Sequence, residues 1–288
     1  MTTSFGSRLA AEFAAGRHLC AGIDPHGPLL AAWGLDDSAD GAERMGREVV
    51  AASLGVAACV KPQVSFFERF GSAGFAALER VLADARQSGL LVIADAKRGD
   101  IGSSFDAYAE AWLAPGSPLE ADAVTVAAYQ GFGTLGGALG HASAHGKGVF
   151  VLAATSNPEA RAVQAARRED GQSVAAGMLA DARAFNREAF ADEAVGSVGA
   201  VLGATLDLAD FGIDTGVSAD RADAGPALPV LAPGFGHQGA RIEEAHAIFG
   251  SLGSALLANE SRSILSGGRE GLAARVRERA EAISSALA

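Results

Sequence analysis

The strongest constraint on the fold is a repeat of short apolar runs, each followed by a segment long enough to hold a helix. The runs fall at Leu19–Asp24, Gly55–Lys61, Leu90–Ala94, Ala123–Ala127, Val149–Ala153, Gly199–Ala204, Leu228–Ala232 and Ala255–Ala258, giving eight strand candidates. Strands covered on both faces read as continuous apolar runs, and parallel neighbours must be joined by a crossover, usually helical. The spacing predicts an α/β fold, a single (β/α)8 barrel of the TIM type spanning residues 1–288, with a short N-terminal helix and a C-terminal helix at Glu270–Leu287. An open, doubly wound sheet is the other arrangement that fits the alternation. Both place a ligand at the carboxyl ends of the strands.

The connecting segments have helical character. Ala42–Leu54 mixes charged with aliphatic residues, and Phe75–Ala85 places Leu78 and Leu82 four apart, on one helical face. Arg161–Ala194 is too long for a simple connection and predicts two helices, with a break near Gly171 or Gly177.

Composition excludes several classes of function. The chain has 34 acidic against 23 basic side chains, a formal net charge of -11, whereas a nucleic-acid binder needs an electropositive footprint. No apolar run reaches the roughly 18 residues of a membrane span, and no basic and apolar leader opens the chain, so a cytoplasmic location is expected. Cys20 and Cys59 form neither a metal-ligand series nor a disulfide framework and read as buried thiols. His18, His26, His141, His145 and His246 show no spacing that compels a metal site. Neither a metal nor a cofactor is expected.

Polar residues recur just beyond the strand candidates. Asp24 follows the first and Lys61 ends the second; Ser156-Asn157-Pro158 follows the fifth, Gly234-Phe235-Gly236-His237-Gln238 the seventh, and Asn259-Glu260-Ser261-Arg262 the eighth. In a closed barrel these points converge on one rim. The densest cluster, Asp95-Ala96-Lys97-Arg98-Gly99-Asp100-Ile101-Gly102, follows the third. Asp95 and Lys97 are two apart, so in an extended segment they leave the same face. With Lys61 and Asp100 they can form an alternating network of charges. At about 4 Å and an effective dielectric of about 20, each attraction is on the order of 4 kcal/mol before desolvation.

The cluster Asp95-Ala96-Lys97-Arg98-Gly99-Asp100-Ile101, supported by Val60-Lys61-Pro62-Gln63 and Pro233-Gly234-Phe235-Gly236-His237-Gln238-Gly239, resembles the orotidine 5′-phosphate decarboxylase family in its longer bacterial form. The resemblance runs from Ala21-Gly22-Ile23-Asp24-Pro25 to the Arg262 region. It implies metal-free decarboxylation of orotidine 5′-monophosphate to uridine 5′-monophosphate and carbon dioxide, in pyrimidine biosynthesis. It also implies that Lys97 gives a proton to C6, that Asp95 sits near the departing carboxylate and orients Lys97, and that Lys61 completes the network and helps orient the ribose contacts. Asp24 would meet a ribose hydroxyl, with a turn or helix cap before Pro25 as its structural alternative. Asp100, Ile101 and Ser104 would reach the neighbouring subunit's site in a homodimer, Asp100 joining its charge network. Ser104 stands where a threonine is frequent.

Ser156 would contact the pyrimidine, although Ser156 or Asn157 could equally cap a helix whose first turn holds Pro158. Gln238 and Arg262 would bind the phosphate. His237 departs from the small residue expected beside Gln238. Competing readings are a lyase with a Schiff base on Lys61 or Lys97, which the neighbouring carboxylates disfavour by keeping the amine charged, a metal-assisted sugar-phosphate decarboxylase, and a phosphate-ligand binding module without catalysis.

Overall fold

The computed structural model describes residues 2–216 and 225–288. Eight strands, β1 (Leu19–Ile23), β2 (Cys59–Pro62), β3 (Leu91–Arg98), β4 (Ala123–Val126), β5 (Gly148–Ala154), β6 (Val198–Leu202), β7 (Val230–Pro233) and β8 (Leu256–Glu260), form a closed barrel in sequence order. All neighbours are parallel, and β1 pairs with β8 through Leu19 opposite Ala258. Closure rules out the open doubly wound sheet. It also leaves no sheet edge exposed.

Alternation along each strand divides the core in two. Cys20, Cys59, Ile93, Ala123, Phe150, Leu231 and Leu257 belong to one apolar cluster, which the helix Phe5–Ala14 joins through Phe5 and Leu9. The intervening strand residues, such as Ala21, Val60, Val92 and Val149, belong to a larger cluster shared with the surrounding helices. The first cluster is the barrel interior and the second its outer shell, as a side-chain period of two requires. Phe5 meets Phe150 edge to face, their ring centroids 5.9 Å apart, so the N-terminal helix packs into the barrel interior. Ser4 starts that helix by accepting a hydrogen bond from the Ser7 amide at 3.0 Å.

The outer helices follow the apolar periodicity. Ala39–Ser53 buries Ala42, Met45, Val49 and Val50 along one face and is capped by Ser38, while Gly71–Gln87 buries Leu78 and Leu82. In the long connection after β5, Gly171 takes a left-handed φ of 84° and the helix Val174–Ala189 starts at Ser173. Gly177 lies inside that helix, so the break is at Gly171.

Several expected boundaries move. The second strand starts at Cys59 rather than Gly55, because Gly55 turns the chain at φ 73° and the Ser53 carbonyl accepts from the amides of Val56 and Ala57. The third runs on through Arg98, carrying Asp95 and Lys97 inside the strand. The C-terminal helix begins at Leu272, after a left-handed Gly271, and a separate short turn of helix, Arg262–Leu265, follows β8 directly. Among the described residues, no helix is long and apolar enough to cross a membrane.

Candidate active site

The inward period of two converts strand sequence into a site. One step beyond the apolar layer, Cys59 is followed by Lys61, Ile93 by Asp95, Ala123 by Thr125 and Leu257 by Asn259; one further step gives Gln63 and Lys97. A cavity of about 390 Å³ opens at this end of the barrel. Asp24, Lys61, Asp95, Lys97, Gln238 and Arg262 all line it.

Asp95 is buried and accepts from both lysines: Lys61 Nζ lies 2.7 Å from Oδ2 and Lys97 Nζ 2.7 Å from Oδ1. The Thr125 hydroxyl donates to Oδ1 at 2.8 Å. Burial alone would push the Asp95 carboxyl upward, but the charges of Lys61 and Lys97 more than offset it and hold the group well below the usual carboxylate range. Burial likewise pulls Lys61 down, and the negative charges of Asp95 and Asp24 overcome that and raise it. Lys61 therefore stays an ammonium ion, and the Asp95 carboxylate 2.7 Å from each lysine disfavours a neutral Schiff-base nucleophile. The two differ in access: the Lys61 side chain is 6% exposed and that of Lys97 44%. Of the two lysines that line the cavity, Lys97 is the more exposed.

The backbone at Lys97 is unusual. It is the only non-glycine residue at positive φ (49°) among the described residues, a conformation that costs about 1–3 kcal/mol and persists only where its surroundings enforce it. Between Ala94 and Arg98 the register of β3 on β4 shifts, four residues advancing against two from Val124 to Val126. In this bulge the Lys97 amide donates to the Thr125 hydroxyl at 3.0 Å and Nζ donates to Gln63 Oε1 at 3.0 Å.

Asp24 Oδ1 is buried and has no hydrogen-bond partner among the described residues, which suits a ligand hydroxyl in the cavity. The expected turn is also present, the His26 amide donating to the Asp24 carbonyl at 2.8 Å, and His26 rather than Asp24 holds the helix N-cap position. At the other end of the cavity, Gly234, Gly236 and Gly239 have φ of 124°, 68° and 108°, bending the segment before Ala240 into a tight turn that carries Gln238. His237 also lines the cavity, with an exposed side chain. Beneath that turn lies Glu260, paired with Arg279 of the C-terminal helix at 2.7 and 2.8 Å and accepting from the Ser263 hydroxyl.

Four expected residues do not line the cavity of the single chain. Asp100 accepts from the Ile101 amide at 2.8 Å, Ile101 is 59% exposed, and Ser104 is exposed on the helix Gly102–Leu113. Ser156 is exposed beside Thr155, which does line the cavity. Asn157 holds an N-cap position ahead of Pro158, but its side chain makes no capping bond and instead meets Thr155 and Glu159. Thr125 and Arg279 were not singled out from the sequence, and Gln63 and Glu260 stood there only within longer segments, with no role assigned. The two-residue step from an inward apolar residue was the available signal for Thr125 and Gln63.

Comparison with known proteins bears on this geometry. The model of the orotidine 5′-phosphate decarboxylase / HUMPS family matches residues 18–267. The chain belongs to this family. An orotidine 5′-phosphate decarboxylase of Streptomyces coelicolor is 48% identical over 262 residues, covering 91% of this chain and 89% of that protein. One from Corynebacterium efficiens is 44% identical over 268 residues, covering 93% and 92%. A crystal structure assigned as an orotidine 5′-phosphate decarboxylase from Streptomyces avermitilis superposes with a TM-score of 0.88 at 45% identity, covering 100% of this chain and 97% of that one. Membership carries decarboxylase activity of the orotidine 5′-phosphate decarboxylase type. Among the described residues, no three His, Cys, Asp or Glu side chains converge as metal ligands.

Proposed function

We propose that the cavity converts orotidine 5′-monophosphate to uridine 5′-monophosphate and carbon dioxide, with Lys97 as the proton donor to C6. The observation that carries this reading is the buried Asp95 carboxylate bridged by two ammonium groups, of which Lys97 faces the cavity.

In the proposed step the bond from C6 to the carboxylate carbon breaks, carbon dioxide leaves, and the electron pair stays on C6. A proton on Lys97 Nζ then bonds to that pair, and water reprotonates the amine. The barrier lies in placing negative charge on an sp² carbon, so a fixed ammonium helps to the extent that it attracts the developing carbanion more than it attracts the substrate. Asp95 holds Lys97 in place near the departing carboxylate, and Lys61 keeps Asp95 ionised. Asp24, with its unpaired Oδ1, and Lys61 serve the ribose. Gln238, Arg262 and the glycine turn serve the phosphate, whose remote binding energy helps to position the ring.

Ser156 is assigned to the pyrimidine from the neighbouring turn. Asp100, Ile101 and Ser104, outside the cavity in one chain, are assigned to the site of a second copy in a cytoplasmic homodimer. The barrel forms one catalytic domain.

Incubation of the purified protein with orotidine 5′-monophosphate, measuring both products with and without a chelator, tests the reaction. Expected is stoichiometric release of carbon dioxide that chelation leaves intact. Loss on chelation and rescue by a divalent ion would favour metal-assisted chemistry instead, and binding without turnover would favour a binding module. Lys97→Ala should lower kcat by on the order of 10³-fold or more while retaining affinity for uridine 5′-monophosphate. Near-normal turnover would remove Lys97 from its role.

A further inference from the structure

We infer that Thr125 is a positioning residue for the reaction: its hydroxyl sets both the backbone conformation of Lys97 and the orientation of the Asp95 carboxylate. The inference rests on the reading of Lys97 as the proton donor.

Thr125 is 1% exposed and stands in the middle of β4, between Val124 and Val126, which belong to the outer apolar shell. Its side chain therefore points inward, on the face that carries Ala123 one layer below. A valine there would fill the same volume and suit the strand equally well. A buried hydroxyl in that position must find partners, and it finds two. It donates to Asp95 Oδ1 at 2.8 Å and accepts from the Lys97 amide at 3.0 Å. Because Asp95 is held ionised by two lysines, it can only accept, which fixes the direction of the first bond and leaves the threonine lone pairs for the Lys97 amide.

These two bonds act at the irregular part of the ladder. Where the register of β3 slips against β4, the Lys97 amide takes the Thr125 hydroxyl as acceptor, and Lys97 adopts φ 49°. A lysine gains nothing intrinsic from a left-handed backbone. The bond from its amide to the Thr125 hydroxyl is a contact that holds the backbone there, and its loss would let Lys97 relax and shift Nζ relative to Asp95 and Gln63. The same oxygen thus ties the backbone of one charged residue to the carboxylate of the other. Thr125 fixes the distance from the ammonium to the reacting carbon without touching that carbon itself.

The test compares Thr125→Val, which removes the hydroxyl at nearly constant volume, with Thr125→Ser, which keeps it and removes a methyl. Thr125→Val should lower kcat about 100-fold, the size of effect expected from displacing a reacting group by about 1 Å, with KM changed by less than about threefold. Thr125→Ser should stay within about fivefold of the parent. The acid limb of the kcat profile should move to higher pH in the valine variant, because Asp95 loses a donor to its ionised form. Affinity for uridine 5′-monophosphate, measured by calorimetry, should be unchanged in both.

Turnover of Thr125→Val close to the parent would overturn the proposal. So would equal losses in the valine and serine variants, or a loss of product affinity parallel to the loss of kcat, since either outcome marks a packing role. If Thr125→Val does not fold, Thr125→Cys, which keeps the volume and weakens both hydrogen bonds, is measured by the same readouts and should show an intermediate loss. Lys97→Ala in the same assay separates the two ideas. An active Lys97→Ala defeats the reading of the site, whereas an inactive Lys97→Ala beside a normal Thr125→Val defeats only the role of Thr125.

Discussion

Asp95 accepts three hydrogen bonds on two oxygens, two of them from ammonium groups, in a layer of the barrel closed to water from below. Such a group links charge to stability. Its folded pKa lies below that of the unfolded chain, so its contribution is complete above about pH 4 and is lost as pH falls through the folded value. Lys61 has the opposite sign: its raised pKa contributes fully below about pH 10, and the contribution is lost as pH rises through the folded value. The pair is therefore insensitive to pH between those limits. Lys61→Met removes one of the two cations that depress Asp95, so the folded pKa moves toward the unfolded one and the variant's melting temperature should fall less than the parent's on acidification below about pH 4. Other carboxylates titrate in both proteins and cancel in the comparison. Coincident acid limbs would show that Asp95 does not sense Lys61. The charged residues were legible in the sequence because ionic side chains at the end of an apolar run are conspicuous. Thr125 was not, because threonine is an ordinary strand residue and only its partners distinguish it.

At the scale of elements, strand parity and one helix contact decide what the cavity can hold. β3 was expected to end at Ala94; it continues to Arg98 through a bulge that contains the left-handed Lys97, and Asp95 and Lys97 pair there. Sequence periodicity carries no record of a bulge, since the extra residue looks like the start of a loop. A second contact joins the far end of the chain to the turn carrying Gln238. Glu260, whose side chain is fully buried at the end of β8, is held by Arg279 of the helix Leu272–Leu287. Arg279→Met leaves that carboxylate with no cation, and breaking a buried pair from one side costs about 3–5 kcal/mol. Urea denaturation should show that loss. The double variant Glu260→Met and Arg279→Met should recover part of it, since apolar replacements of a whole pair are frequently tolerated. A single Arg279→Met as stable as the parent would make the pair a surface contact in energetic effect.

For the whole molecule, several exposed residues after β3 and β4 have no partner in the single chain's cavity. Ile101 is 59% exposed, Tyr108 39% and Tyr129 84%, while Asp100 and Ser104 lie outside the cavity. The proposed homodimer gives them a role, and subunit complementation checks it. Lys97→Ala and Asp100→Ala are each expected to be inactive alone. Co-expressed, they should regain up to about a quarter of parental activity, because half of randomly paired dimers combine one intact Lys97 with the other copy's intact Asp100. No recovery, with mixed dimers verified by mass, would place Asp100 in its own chain's site. The sequence by itself determined the eight-fold alternation, the shared face of Asp95 and Lys97 and the identity of the charged groups, because these depend on local periodicity and side-chain chemistry. Only the tertiary structure decided that the sheet closes, that Lys97 takes a left-handed backbone and that Thr125, Gln63 and Arg279 support the cavity. These depend on contacts between residues far apart in the chain, whose distances follow from barrel closure and strand register and leave no trace in local composition.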